Sequence, residues 1–534
     1  MSSLTRLVFF VLLVTQICSL QAASIETIAL NEIKKGMKGH GLTVMSGRDA
    51  TKFGVEVVDV LHNFGAPRRN AILVRLIGDD VEHTRVASGM SGSPVFFQNR
   101  LAGALAFAWP FGKDPIGGVT PIEEMLAEGK RKVPPKEANG DIKWPANSKR
   151  EKGARKISVP LTCSGFSDNA LAAMNDLMSP LGFSARHGGA LLTGKGIKAL
   201  KPLGRPLRGG DAVGVQIIRG DMAATAVGTV TCVVGDRILA FGHSFFDAGF
   251  WNAPMCAAHV HHVLASNYLS FKLASPLEVV GSLILDRPPC IVGQKSLQSP
   301  MAKVVINTDN RSTGQKKTFN VEVLRHRFLT ARFLGMALTS VLADAEGTNE
   351  ALTIRTTAQV KLKDERPFSL ESRTFTDGSG PVDIDIVMSL FSILSNSFKK
   401  VDLESVLFNV TIYPKVRPYR IKEVVPCQRS VRQGEDFTVR VEFEKYGGQK
   451  HYKLVKLKMP AKHPVGNARI DLGSGTSLPR QEVNPQSVKD LIKRAERKYL
   501  ASTLVARLSM PYLGMGQDGR LYERLPGVAF ELLD

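Results

Sequence analysis

Ser88-Gly89-Met90-Ser91-Gly92-Ser93-Pro94-Val95-Phe96-Phe97 reads as a tight glycine turn delivering the chain into a β-strand. Val95-Phe96-Phe97 is apolar and β-favouring, whereas the glycines on either side of Met90-Ser91 permit backbone angles closed to other residues. A serine held in such a turn can present a free hydroxyl with backbone N–H groups aimed at one point. That is the arrangement an acyl-transfer nucleophile and its oxyanion hole require. A plain glycine-serine turn without chemistry has the same local pattern.

Outward from this turn the chain is β-patterned. Upstream, Leu42-Thr43-Val44-Met45, Val55 to Leu61 and Ala71 to Leu76 are short β-rich runs. Turn residues separate them at Ser46-Gly47-Arg48-Asp49 and Gly65-Ala66-Pro67. Downstream, a Gln98-Asn99 turn leads into Leu101 to Ala106, then Gly117 to Pro121 and a short helical stretch from Ile122. Many short strands so punctuated predict a small barrel or sandwich. Between Lys130 and Lys156 apolar periodicity disappears, as in a basic linker. A second β-rich region from Ile157 contains a helix at Ser167 to Met178 and strands at Ala212 to Ile218 and Ala226 to Val234. Its strand Arg237-Ile238-Leu239-Ala240 runs into Phe241-Gly242-His243. A mixed α/β region follows over residues 293–418, then an all-β stretch over 419–480. There Phe437, Val439 and Val441 alternate with polar residues, which predicts an immunoglobulin-like sandwich lacking the usual Cys and Trp marks. Residues 481–534 read as a C-terminal helix, from Ser487 to about Leu504, and a tail.

With 534 residues the chain exceeds a single core, and its 43% hydrophobic content is that of a globular protein. Met1 to Ala23 has the order of a secretory signal peptide: Arg6, an apolar run from Leu7 to Val14, then the small residues Ala22 and Ala23. The expected location is therefore the periplasm or extracellular space. Cys163, Cys232, Cys256, Cys290 and Cys427 are too scattered for a disulfide scaffold or a CxxC metal site. The formal charge of +21 favours an anionic envelope surface as a contact. No aromatic-interleaved basic motif or zinc finger supports a specific nucleic-acid partner.

A nucleophilic serine needs a base, and histidine titrates in the right range. Of 11 histidines, His243 stands out at a strand end after a glycine. His259, His261 and His262 cluster without the carboxylate or cysteine spacing of a zinc site, so neither metal nor cofactor is expected. Cys256-Ala257-Ala258-His259 resembles the Ala-Ala-His-Cys of trypsin-like enzymes in the wrong order.

Glu32 to Gly39, Phe53 to Val58, Gly89-Met90-Ser91-Gly92-Ser93-Pro94 and Gly103-Ala104, followed by Val227-Gly228-Thr229-Val230-Thr231 and Ala240-Phe241-Gly242-His243, together resemble the SpoIVB peptidase family. These are the sporulation stage IV B serine peptidases of bacteria. The resemblance covers about Ile25 to Gln294 and implies a trypsin-like double β-barrel, with residues 24–129 bearing the serine and 157–292 the histidine. It assigns Ser91 as nucleophile, His243 as base, and the N–H groups of Gly89 and Ser91 as oxyanion donors. In the family the histidine motif precedes the serine motif, whereas here it follows by about 150 residues. Function depends on geometry rather than chain order. The family's orienting aspartate lies shortly before its serine motif, where Asp79, with Asp80 as its alternative, is the candidate without a clean register. Asp247 is a third candidate, and no PDZ module is found. The expectation is an exported serine endopeptidase acting on a protein or peptide substrate. The alternative is a non-catalytic envelope binding or scaffold protein on a peptidase-like fold.

Overall fold

The computed structural model describes residues 25–109, 112–132, 154–189, 201–346, 352–376, 385–414, 419–445, 448–461, 466–480, 484–509, 514–517 and 520–523. The signal-peptide segment and most of the basic linker lie outside these. Half of the chain is in strands and 15% in helices, so the protein is mainly β. Contacts divide it into two units. The first comprises residues 1–164, 175–217 and 224–300, and the second 165–174, 218–223 and 301–534.

The first unit opens with β1 (Lys38–Thr43), β2 (Thr51–Leu61), β3 (Ala71–Ile77), β4 (Pro94–Phe97), β5 (Arg100–Ala108) and β6 (Ile116–Pro121). They are ordered β4-β1-β2-β3-β6-β5, and β4 also pairs with β5, which closes a six-stranded barrel. Closure pairs β4 with the first half of β5 and leaves the end of β5, Phe107 and Ala108, open to a further strand. The register follows the sequence pattern: Phe53, Val55 and Val57 of β2 are buried on alternate positions, joined by Val74 and Leu76 of β3 and Val95 and Phe97 of β4. This is the period-two burial of strands with one apolar face. The last residues of the segment read as a linker, Arg155–Lys156, form β7 against β5. Lys156 can pair there because the strand asks only for backbone groups.

The unit continues through β8 (Val159–Ser164), β9 (Phe183–His187), β10 (Ala212–Gly220), β11 (Ala223–Val234), β12 (Arg237–Ala240), β13 (Gly249–Leu264), β14 (Phe271–Arg287) and β15 (Cys290–Gln294). Their order is β10-β13-β14-β15-β12-β11-β8-β9, and β10 also pairs with β11. The long β13 and β14 carry several bulges, which let extended strands bend. The cluster His259, His261 and His262 therefore lies on β13, with the rings of His259 and His261 4.9 Å apart between centroids.

In the second unit, β16 (Met301–Asn310), β17 (Lys316–Leu324), β18 (Leu352–Leu362), β19 (Phe368–Thr376) and β20 (Leu403–Pro414) form consecutive neighbours in the order β19-β18-β20-β16-β17. Helices Thr330–Glu346 and Asp385–Leu394 pack together beside them. Next, β21 (Tyr419–Pro426), β22 (Asp436–Lys445) and β23 (Lys450–Lys458) make a three-stranded sheet, and β24 (Arg469–Ser474) pairs with β25 (Leu504–Ser509). Phe437, Val439 and Val441 form one core with Ile470, Leu472 and Leu508. A strand thus returns from the segment read as helix and tail, and the helix itself is shorter, Val488–Glu496. No helix among the described residues is long and apolar enough to cross a membrane.

Candidate functional site

The serine turn is held by its carbonyls, and that decides where its N–H groups point. Ser88 accepts from Lys272 N at 2.9 Å, Gly89 from Thr229 Oγ1 at 2.9 Å, and Met90 from Ser93 N at 3.0 Å and Ser93 Oγ at 2.7 Å. Ser91 accepts from Thr229 N at 2.8 Å and Gly92 from Thr231 Oγ1 at 2.8 Å. Thr229 and Thr231, two apart on β11, thus meet the turn from one face of the strand. The N–H groups of Ser88, Met90, Gly92 and Ser93 donate to Ser270, Ala87, Leu105 and Met90 respectively. Gly89 and Ser91 have no such acceptor among the described residues. In a trans peptide the N–H points opposite the C=O. Anchoring the Ser88 and Met90 carbonyls therefore turns the Gly89 and Ser91 N–H groups the other way, leaving both spare.

Two glycines make this course feasible. Gly89 and Gly92 have φ of 93° and 95°, in the region that disfavours side chains. A Cβ on Gly92 would also lie 2.0 Å from the Thr229 carbonyl oxygen and 2.4 Å from Phe241 N. The serine turn and the histidine loop are that close. Phe241 N donates to the Thr229 carbonyl, while Thr229 N donates to Ser91. Gly92 N donates to Leu105 O, and a Cβ on Gly242 would lie 3.2 Å from that same oxygen. One residue beyond each glycine contact the chain carries Ser91 on one side and His243 on the other.

The histidine loop is itself unusual. Phe241 and Gly242 are consecutive left-handed residues, with φ of 68° and 65°, and a bulky residue there is strained. The loop is fixed by Thr120 Oγ1 donating to Gly242 O at 2.7 Å. It is fixed too by Asp286 of β14, whose carboxylate accepts from Phe245 N and Phe246 N at 2.6 Å each and from Ala248 N at 3.1 Å. Burial pushes the Asp286 carboxyl up to about 6, against the pull of these N–H groups and of Lys156. Phe241, Phe245, Phe246 and Trp251 meet edge to face around the loop.

His243 is 1% exposed and Ser91 0%. The His243 Nδ1 atom lies 2.9 Å from the Ser244 carbonyl oxygen. A carbonyl can only accept, so Nδ1 carries the proton and Nε2 keeps its lone pair. Burial, with Lys156 nearby, pushes the imidazole down to about 4, while backbone groups of Ser244 and Ile157 act the other way. The ring is therefore neutral at physiological pH. Neither its Nε2 nor the Ser91 hydroxyl has a hydrogen-bond partner, and the same holds for Ser88 Oγ. Ser91 and His243 are thus not bonded to each other in this conformation.

The three candidate acids lie elsewhere than on Nδ1. Asp79 and Asp80 are exposed in the first turn of the helix Asp79–Thr84, where carboxylates suit the helix dipole. Asp247 is half-buried at φ 54° and acts on Lys156, whose Nζ donates to Ser244 Oγ at 2.5 Å. The group orienting the imidazole is a backbone carbonyl, which no sequence motif announces. Two further contributors, Lys272 and Asp286, went unread in the sequence. Thr229 and Thr231 stood in the family-like run, though without a role assigned to them.

His261 Nε2 lies 2.8 Å from Ser275 Oγ, which donates to Gly189 O at 2.8 Å. That hydroxyl proton is already committed. Among the described residues no group of three or more His, Cys, Asp or Glu side chains could hold a metal ion. No disulfide joins the five described cysteines, and burial pushes Cys163 and Cys232 up to about 12, which makes these two inert. In comparisons with known proteins no family model matches the chain, and neither a curated protein nor a solved structure does.

Proposed function

We propose that the first unit is a serine endopeptidase of SpoIVB type, with Ser91 as nucleophile and His243 as base. The observation that carries this reading is a set of buried polar groups left idle in the serine turn and in the histidine loop packed against it: Ser91 Oγ, His243 Nε2 and the spare N–H groups of Gly89 and Ser91. An unsatisfied buried polar group costs about 1–3 kcal/mol, a cost a purely structural turn has no reason to carry. In the reaction, Ser91 Oγ attacks the substrate carbonyl as His243 Nε2 takes its proton, and the oxyanion sits on the two N–H groups. His243 then protonates the leaving amine, and water, activated by the same nitrogen, releases the acyl group. The pairing of β10 with β11 supports a second barrel beside the first. The three-stranded sheet and hairpin of residues 419–509 are compatible with a small sandwich of immunoglobulin type.

The test is hydrolysis of an unstructured protein substrate by the full chain. Ser91→Ala and His243→Ala should each lower kcat/KM by at least about a thousandfold. Equal rates for wild type and Ser91→Ala would overturn the assignment. The complete covering of Ser91 favours a second reading, a non-catalytic scaffold for envelope partners. On that reading no substrate is cut at all.

A further inference from the structure

Lys272, on β14, has no exposed surface. Its Nζ donates to Thr43 Oγ1 at 2.7 Å and to Thr229 Oγ1 at 3.2 Å. A lysine ammonium carries three donors, and no acceptor for the third is present among the described residues. Every group facing it is uncharged: β1 offers the Thr43 hydroxyl, β11 the Thr229 hydroxyl, and the serine turn Gly89, whose Cβ position would lie 3.1–3.2 Å from the lysine stem. No ionisable side chain acts on it, and burial alone pushes the amine down to about 7. A buried cation without a carboxylate is costly, so its position calls for a reason.

The reason lies in what it touches. Its backbone N–H holds the Ser88 carbonyl, fixing the peptide whose N–H is the spare donor of Gly89. Its ammonium donates to Thr229 Oγ1, which spends its own proton on the Gly89 carbonyl. One residue thus fixes two successive peptides of the turn.

We propose that Lys272 is a positioning residue for the Gly89 N–H of the spare pair, acting through the Ser88 and Gly89 carbonyls that it holds. This rests on the acyl-transfer reading of the turn. The proton-bearing amine is the working form, because a charged donor holds the Thr229 hydroxyl, and through it the Gly89 carbonyl, more firmly than a neutral amine does.

The experiment is the rate of labelling of the full chain by a small fluorophosphonate between pH 4 and 9, with Ser91→Ala as the blank. For the wild type the rate should rise as His243 loses its proton near 4 and fall as Lys272 loses its own near 7. Lys272→Met should be slower by about tenfold to a hundredfold, less than or comparable to loss of an oxyanion donor, and should lack the fall above pH 7. A merely structural lysine would leave the alkaline limb in place. Thr43→Val removes one acceptor of the cation and should move that limb down by about one pH unit. If Lys272→Met does not fold, Thr43→Val carries the test. An unmoved limb in Thr43→Val, or wild-type rate and profile in folded Lys272→Met, overturns the role of Lys272 alone. A wild type that is never labelled overturns the acyl-transfer reading and this proposal together.

Discussion

At the scale of single residues, His243 owes its state to two neighbours of different kinds. The Ser244 carbonyl fixes which nitrogen carries the proton, and burial keeps the ring neutral. The lowered pKa has a definite consequence for stability. Between an unfolded value near 6.5 and the folded value of about 4, the unfolded chain takes up the proton first. The stability present above pH 6.5 is therefore lost as pH falls towards 4, by about 3 kcal/mol in all. His243→Gln has no such proton to gain. Denaturant titrations at pH 7 and pH 4 should show the variant gaining about 3 kcal/mol relative to wild type at the lower pH, and a constant difference would contradict the assignment. Ser91 and His243, the proposed pair, carry a signal in the sequence because glycine flanks and a strand end mark them. Lys272 was not, because in Phe271-Lys272-Leu273-Ala274 a lysine reads as an outward residue, and only the neighbouring hydroxyls show why it points in. The orienting acid was misplaced for the same reason: a contact to the backbone leaves no trace in side-chain identity.

At the scale of elements, β11 and β14 do most to shape the site. β11 sends Thr229 and Thr231 to the serine turn and receives Phe241 at the Thr229 carbonyl. Gly92→Ala would drive a methyl group into that carbonyl on a backbone angle that alanine resists. It should cost about 2–4 kcal/mol and abolish labelling of Ser91, as thermal unfolding and probe incorporation would report. From β14, Asp286 binds three N–H groups of the histidine loop. Asp286→Ala strands all three and should destabilise by about 3–5 kcal/mol, measurable by chemical denaturation. Most strands were readable from period-two alternation and turn residues, as in β2 and β22. The closure of the first barrel was not, since β4 meets both β1 and β5 through backbone groups common to every residue. The end of the linker was likewise missed, because β7 is two basic residues recruited by the edge of β5.

At the scale of the whole molecule, the formal charge of +21 far exceeds the single ammonium, that of Lys272, held against the buried serine turn. The charge therefore concerns what the surface meets. Sedimentation with anionic lipid vesicles should be strong at about 0.1 M salt and lost near 1 M, as screening shortens from ~10 to ~3 Å. Retention at high salt would point instead to apolar contacts. The central proposal is narrower: the idle hydroxyl of Ser91, in a turn that packs against the histidine loop and carries two spare N–H groups, is a nucleophile. Its most direct test is to treat the full chain with a fluorophosphonate and map the adduct by mass spectrometry. One adduct on Ser91, absent in Ser91→Ala and slowed at least a hundredfold in His243→Ala, is the predicted result. A folded wild-type chain with no adduct, or with its adduct on another serine, would contradict it.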